Sequence, residues 1–178
     1  MSLYVVRHGQ TDWNKKRLIQ GRIDIPLNEE GIAQAKKSKE KLDSIRLDVI
    51  YVSPLLRARQ TAEIINEGRN LPILVDERIQ EESYGDMEGT PRSGEAYLTQ
   101  RRSFFKRYPN GEGYLDVVAR VYPFLNEIKR TRKGQNVLLV CHGGMSRVVN
   151  SYFHDMGNEE FVEFGLDNCE IAHYEFKD

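Results

Sequence analysis

Two arginines and two histidines stand where short apolar segments give way to polar ones. Leu3–Val6 runs into Arg7-His8-Gly9, and "NVLLVCHGG" ends on His142-Gly143-Gly144. "LDVIYV" is followed by Ser53 and then Arg57, and "LPILVD" by the acidic "QEESYG" with Glu81 and Glu82. A guanidinium is costly to bury without a partner, so cations at the ends of buried segments call for an anion. Phosphate oxygens suit them, because the planar fork of arginine grips two oxygens at once and keeps its charge. A histidine held among such cations is driven toward its neutral, nucleophilic form and can accept a phosphoryl group. A nearby carboxylic acid can protonate the departing oxygen. Glycines after each histidine let the backbone come close to the ligand. The chemistry is phosphoryl transfer.

Four chain segments must end on one rim to bring these groups together. The apolar runs 3–6, 47–52, 71–76 and 136–141 read as short strands covered on both faces. "CEIAHYEF" alternates as a final edge strand. Between the first two lies "LNEEGIAQAKKSKEKL", a helix with Asn28 as N-cap, Glu29 and Glu30 at its positive end, and Ile32, Ala35 and Leu42 facing inward. "SPLLRARQTAEIINEG" reads as a second, with Ser53 as cap, Pro54 at the first helical position and Gly68 at the end. Its opening amides would add positive potential beside Arg57. Further helices are predicted near 94–108, 115–133 and 145–154, with Pro123 kinking or dividing the middle one. The alternation predicts an α/β three-layer sandwich with a mostly parallel central sheet and helices on both faces. Ligands of such folds collect at the carboxyl ends of the strands. The stretch at about 91–114 reads as a helical insertion covering one edge.

The 178 residues suit a single domain, and 39% hydrophobic residues supply a core. Lys and Arg number 26 against 27 Asp and Glu, a balance with no global pull toward nucleic acid or an anionic membrane. The preference for an anion is local, and the expected partner is a small phosphorylated molecule. No apolar run has the length of a membrane span, and the first residues do not read as a signal peptide. Cys141 and Cys169 are too few for a disulfide framework, so buried free thiols and a cytoplasmic location are expected. Nothing in the sequence assigns an oligomeric state.

"RHGQTDWN" resembles the RHGxTxxN signature of the histidine phosphatase superfamily, in its phosphoglycerate-mutase-like branch. "QGRIDIPLNEEG", "SPLLRARQTA", "RIQEESYGDMEG" and "VCHGG" extend the resemblance in order over nearly the whole chain. The resemblance implies that His8 is the nucleophile that becomes phosphohistidine. It implies that Arg7, Asn14, Arg57 and His142 hold the phosphoryl oxygens, with Gln20 and the amide of Gly143 as further contacts. Glu81, and not Glu82, falls where the family places its general acid. The family uses no metal, and no spaced ligand set here argues for one; no cofactor is expected.

Each residue has a plainer reading when taken singly. Arg7 could cap a strand, His8 could be a loop histidine, Arg57 a solvated helix residue and His142 a core residue. His154, His173 and Cys141 are assigned to structure, and Trp13, Tyr84 and Met87 to packing. Gln10-Thr11 after the signature histidine resembles the phosphatase pattern more than the mutase one. "NGEGYLD" departs from the GES-type segment of the family, with Gly113 where a hydroxyl would stand. Arg92, Arg101 and Arg102 hint at an acidic or doubly phosphorylated substrate. The expectation is a metal-independent phosphatase acting on small phosphate monoesters. A cofactor-dependent phosphoglycerate mutase and a non-catalytic phosphate-ester binding module are the alternatives.

Overall fold

Strands β1 (Ser2–Arg7), β2 (Val49–Val52), β3 (Ile73–Val75), β4 (Val137–Cys141) and β5 (Ile171–Glu175) form one sheet in the order β3-β2-β4-β1-β5. The computed structural model describes residues 1–177. The first four strands are mutually parallel, and β5 lies antiparallel beside β1. Helices α2 (Glu29–Leu42) and α3 (Leu56–Asn66) cover one face, while α5 (Tyr114–Thr131) and α6 (Gly143–Phe153) cover the other. The pleat of β4 shows why its run of apolar residues is continuous. Val137, Leu139 and Cys141 meet the α5 and α6 layer, and Leu138 and Val140 meet α2 and α3. Among the described residues no helix is long and apolar enough to cross a membrane.

The carboxyl ends of β1, β4 and β2 are adjacent and level. Arg7 lies opposite Cys141, and Val52 opposite Val140. The residues that follow, His8, His142 and Ser53, therefore leave the sheet side by side. β3 exits next to β2 into the acid loop.

Several local expectations need correction. Asn28 caps α2 as read, accepting from the Gly31 amide at 2.9 Å. The inward face, however, is Gly31, Ala35, Ser38 and Leu42, and Ile32 is exposed. The helix turns this way because Gly31 packs on the backbone of Gln10, where a Cβ would stand 2.1 Å from the carbonyl oxygen. Ser53 does not cap α3. The cap position is Leu55, and the Leu56 amide is satisfied by Asp24 Oδ1 at 2.7 Å from a different loop. The helix expected over 94–108 covers only Glu95–Arg101 (α4), because the Gln100 side chain donates to the Lys106 carbonyl at 2.8 Å and closes the remainder into turns. α5 continues through Pro123 without dividing; Pro123 and Ala119, whose carbonyl the missing N–H frees, are both on the exposed side of the helix. Two short helices, α1 (Asp12–Lys15) and α7 (Asn158–Glu163), were not expected, being too brief to show a helical period.

Candidate active site

His8 leaves β1 with its ring buried 5.2 Å, centroid to centroid, from that of His142. Its Nδ1 lies 2.7 Å from the Gly9 carbonyl. A carbonyl oxygen only accepts, so Nδ1 carries the ring proton and Nε2 carries the lone pair. Arg57 Nε donates to that lone pair at 3.3 Å. Burial, and after it the charges of Arg57 and Arg7, hold His8 well below its ordinary value of 6.5. The imidazole is neutral.

Arg57 is anchored by its far edge. Nη1 donates to the Ile23 carbonyl at 2.9 Å and Nη2 to that of Gly21 at 2.7 Å. Arg7 Nη1 donates to the Leu166 carbonyl at 2.7 Å, and its Nε is buried without a partner. The Arg7 guanidinium lies against Gly143, where a Cβ would be 3.5 Å away. These groups border a cavity of about 150 Å³ whose wall includes Arg7, His8, Gln20, Arg57, Glu81 and Gly143. Gln20 accepts from the Thr11 hydroxyl at 2.9 Å, which leaves its NH2 group for a ligand.

Glu81 enters the cavity from the loop after β3. One of its oxygens accepts from the Gly144 amide at 3.1 Å, the other from the amides of Met145 at 3.2 Å and Glu82 at 3.0 Å. The helix N-terminus at the site is thus that of α6, where the sequence pointed to α3. Glu82 is buried behind the wall with Oε1 unpartnered. Burial, with the Glu81 charge second, pushes it up to about 8.

Two expected contacts are not on the cavity wall. His142 lies wholly buried behind His8, with Nε2 2.7 Å from the Ser53 hydroxyl and Nδ1 unpartnered. Asn14 is engaged locally in the capping box of α1, its Oδ1 accepting from the Thr11 amide at 3.1 Å and its own amide donating to the Thr11 hydroxyl at 3.2 Å. Gly113 sits at the N-cap of α5 against the Lys106 carbonyl, so its missing hydroxyl has no bearing on the cavity. Trp13 packs on Gly89 and Met87 on a tyrosine cluster, whereas Tyr84 lines the cavity. Cys141 and Cys169 are buried free thiols, as expected. Among the described residues no three His, Cys, Asp or Glu side chains cluster as metal ligands would.

Residues 3–178 match the family pattern of the histidine phosphatase superfamily (branch 1). The chain belongs to the histidine phosphatase superfamily. It is 36% identical over 174 residues to a Bacillus subtilis protein called uncharacterized phosphatase PhoE, spanning 97% of this chain and 86% of that one. It is 32% identical over 185 residues to the 2,3-bisphosphoglycerate-dependent phosphoglycerate mutase of Cytophaga hutchinsonii, spanning 98% and 87%. The solved structure of Bacillus stearothermophilus YhfR superposes with a TM-score of 0.89 at 31% identity, covering 99% of this chain and 91% of that one.

This histidine phosphatase cavity holds cations beyond the expected pair. Arg92 and Arg101 line it, as their charge suggested, but Arg102 turns away to Glu159 and Glu163. Arg147 and Tyr97 also line it and were not anticipated. Arg147 had a signal: it lies four residues after Gly143, one helical turn along the same face of α6. Tyr97 had none, since its place depends on how α4 packs against Tyr84 and Tyr108.

Proposed function

We propose that the protein hydrolyses small phosphate monoesters through a phosphohistidine formed on His8. The observation that carries this reading is one imidazole lone pair, with its tautomer fixed by the Gly9 carbonyl, facing Arg57 in the same cavity wall as Glu81. His8 Nε2 attacks phosphorus and the bond from phosphorus to the ester oxygen breaks. Glu81, as the carboxylic acid, gives its proton to that oxygen and the alcohol departs. Water then attacks phosphorus while the Glu81 carboxylate takes its proton. The N–P bond breaks, and inorganic phosphate leaves with His8 neutral again. Arg7, Arg57, Gln20 and the Gly143 amide bind the non-bridging oxygens. Arg7 Nε is a buried polar atom without a partner on the cavity wall, and a phosphoryl oxygen supplies what it lacks.

The test is hydrolysis of p-nitrophenyl phosphate by the parent protein and by His8→Ala. The parent should release p-nitrophenol in the presence of a chelator, be inhibited by vanadate and form an acid-labile phosphoenzyme. His8→Ala should do none of these, and unchanged turnover by that variant would overturn the mechanism. The second reading is the mutase reaction, favoured by Arg92 and Arg101 in the cavity as grips for another anionic group. Interconversion of 2- and 3-phosphoglycerate with a bisphosphate primer, faster than phosphate release, would establish it instead.

A further inference from the structure

Glu81 belongs to a loop, and a loop stands where its backbone is held. The carbonyls of Arg78, Gln80 and Glu81 all accept from one side chain, Arg120 of α5, at 2.6, 2.8 and 3.2 Å. The same guanidinium bonds both oxygens of Glu112, through Nε at 3.1 Å and Nη2 at 3.0 Å. Glu112 in turn accepts from the Ser83 amide at 3.0 Å and from Arg22 Nη2 at 2.9 Å. Arg22 Nε reaches the Glu81 carbonyl at 3.3 Å. Its chain neighbour Gly21 supplies the carbonyl that anchors Arg57. A continuous set of charge-assisted bonds therefore ties the acid loop to the loop that holds the Arg57 guanidinium. Neither Arg120 nor Glu112 lines the cavity.

We propose that Arg120 and Glu112 are positioning residues for proton transfer: they fix the acid loop so that the Glu81 carboxyl meets the leaving oxygen while His8 meets phosphorus. The proposal rests on the reading of Glu81 as the acid. Only a guanidinium has the flat, five-donor fan that serves three carbonyls and a carboxylate together, and a lysine ammonium cannot reproduce it. Loss of the fan leaves the fold's two cores untouched but lets the carboxyl drift. A misplacement of about 1 Å is enough to cost one to two powers of ten in rate.

The experiment compares kcat/KM for two esters of similar shape, p-nitrophenyl phosphate and phenyl phosphate. This parameter reports only the steps up to departure of the leaving group. p-Nitrophenolate leaves as a stable anion, whereas the phenol oxygen is far more basic and needs the proton. Arg120→Lys and Glu112→Gln should lower kcat/KM for phenyl phosphate about tenfold or more and leave p-nitrophenyl phosphate within about twofold, the same selectivity as Glu81→Gln. A merely structural defect would lower both substrates alike, and that result overturns the proposal. Should Arg120→Lys melt too early to assay, Arg22→Gln cuts the bridge from its more exposed end and should show the same selectivity at about threefold. Selective loss in Glu81→Gln with none in the three other variants overturns the clamp alone. No selectivity in Glu81→Gln overturns the acid assignment, and the clamp with it.

Discussion

A methyl group on Gly144 would stand 2.6 Å from Glu81 Oε1 and 2.9 Å from the Tyr84 hydroxyl. The carboxyl would have to leave its amides on α6. Gly144→Ala should therefore cut phenyl phosphate turnover about tenfold or more in steady-state kinetics. Gly143→Ala, whose Cβ would meet Arg7 at an ordinary 3.5 Å, should cost less. His8 makes a separate prediction about pH. Attack needs the neutral ring, and burial beside Arg57 and Arg7 keeps it neutral well below 6.5. A kcat/KM profile between pH 4.5 and 7.5 should show no loss of rate at 6.5 from this residue. A titration followed by NMR in which the His8 ring takes up its proton at 6.5 would contradict the assignment. At this scale the sequence was informative where a residue type sits at a strand end, as with Arg7, His8 and His142. It said little about which side chains reach the cavity: Asn14 turns to Thr11, and Arg147 enters from a helix.

At the scale of elements, the junction of β1 with α2 is closely packed. A Cβ on Gly9 would lie 2.4 Å from the Gly31 carbonyl oxygen, and one on Gly31 would lie 2.1 Å from that of Gln10. Both neighbours are backbone and cannot rotate away. Gly9→Ala should destabilise the protein by about 1–3 kcal/mol, visible as a fall of several degrees in Tm. An unchanged Tm would show that the loop has room to move. The α2 N-terminus was legible because its cap is local: Asn28 bonds an amide three residues on. The start of α3 was not, because its first amide is satisfied by Asp24, more than thirty residues away in the chain. Freed from capping, Ser53 turns its hydroxyl to His142.

The molecule as a whole carries buried titrating groups of opposite sign. His8 and His142 are both held well below 6.5, first by burial and then by Arg57. Below that value the unfolded chain takes up protons that the native state refuses. Their contribution is fully present above 6.5 and is lost as the pH falls, with a slope approaching about 2.7 kcal/mol per pH unit for two groups. Glu82 acts the other way. Its native value is pushed up from 4.5 to about 8, so between those limits the native state keeps a proton that the unfolded chain has released. Stability from this group falls as pH rises. Glu82→Gln should therefore be more stable than the parent at pH 8, by up to a few kcal/mol, with the gain shrinking toward pH 4.5. Urea melts at pH 5, 6.5 and 8 check both signs. A gain for Glu82→Gln that grows on acidification would refute the assignment of its burial.

The sequence by itself determined the alternation of strands and helices, the carboxyl-end placement of Arg7, His8 and His142, and the anionic character of the ligand. Those features follow from periodicity and from the cost of burying charge, both written in neighbouring residues. The family resemblance had already singled out Glu81 over Glu82; tertiary structure alone decided that α6 rather than α3 offers its amides to that carboxylate, and that Arg120 holds the acid loop. Each of these depends on which distant group satisfies a given donor or acceptor, and a linear pattern of residue types does not contain that pairing.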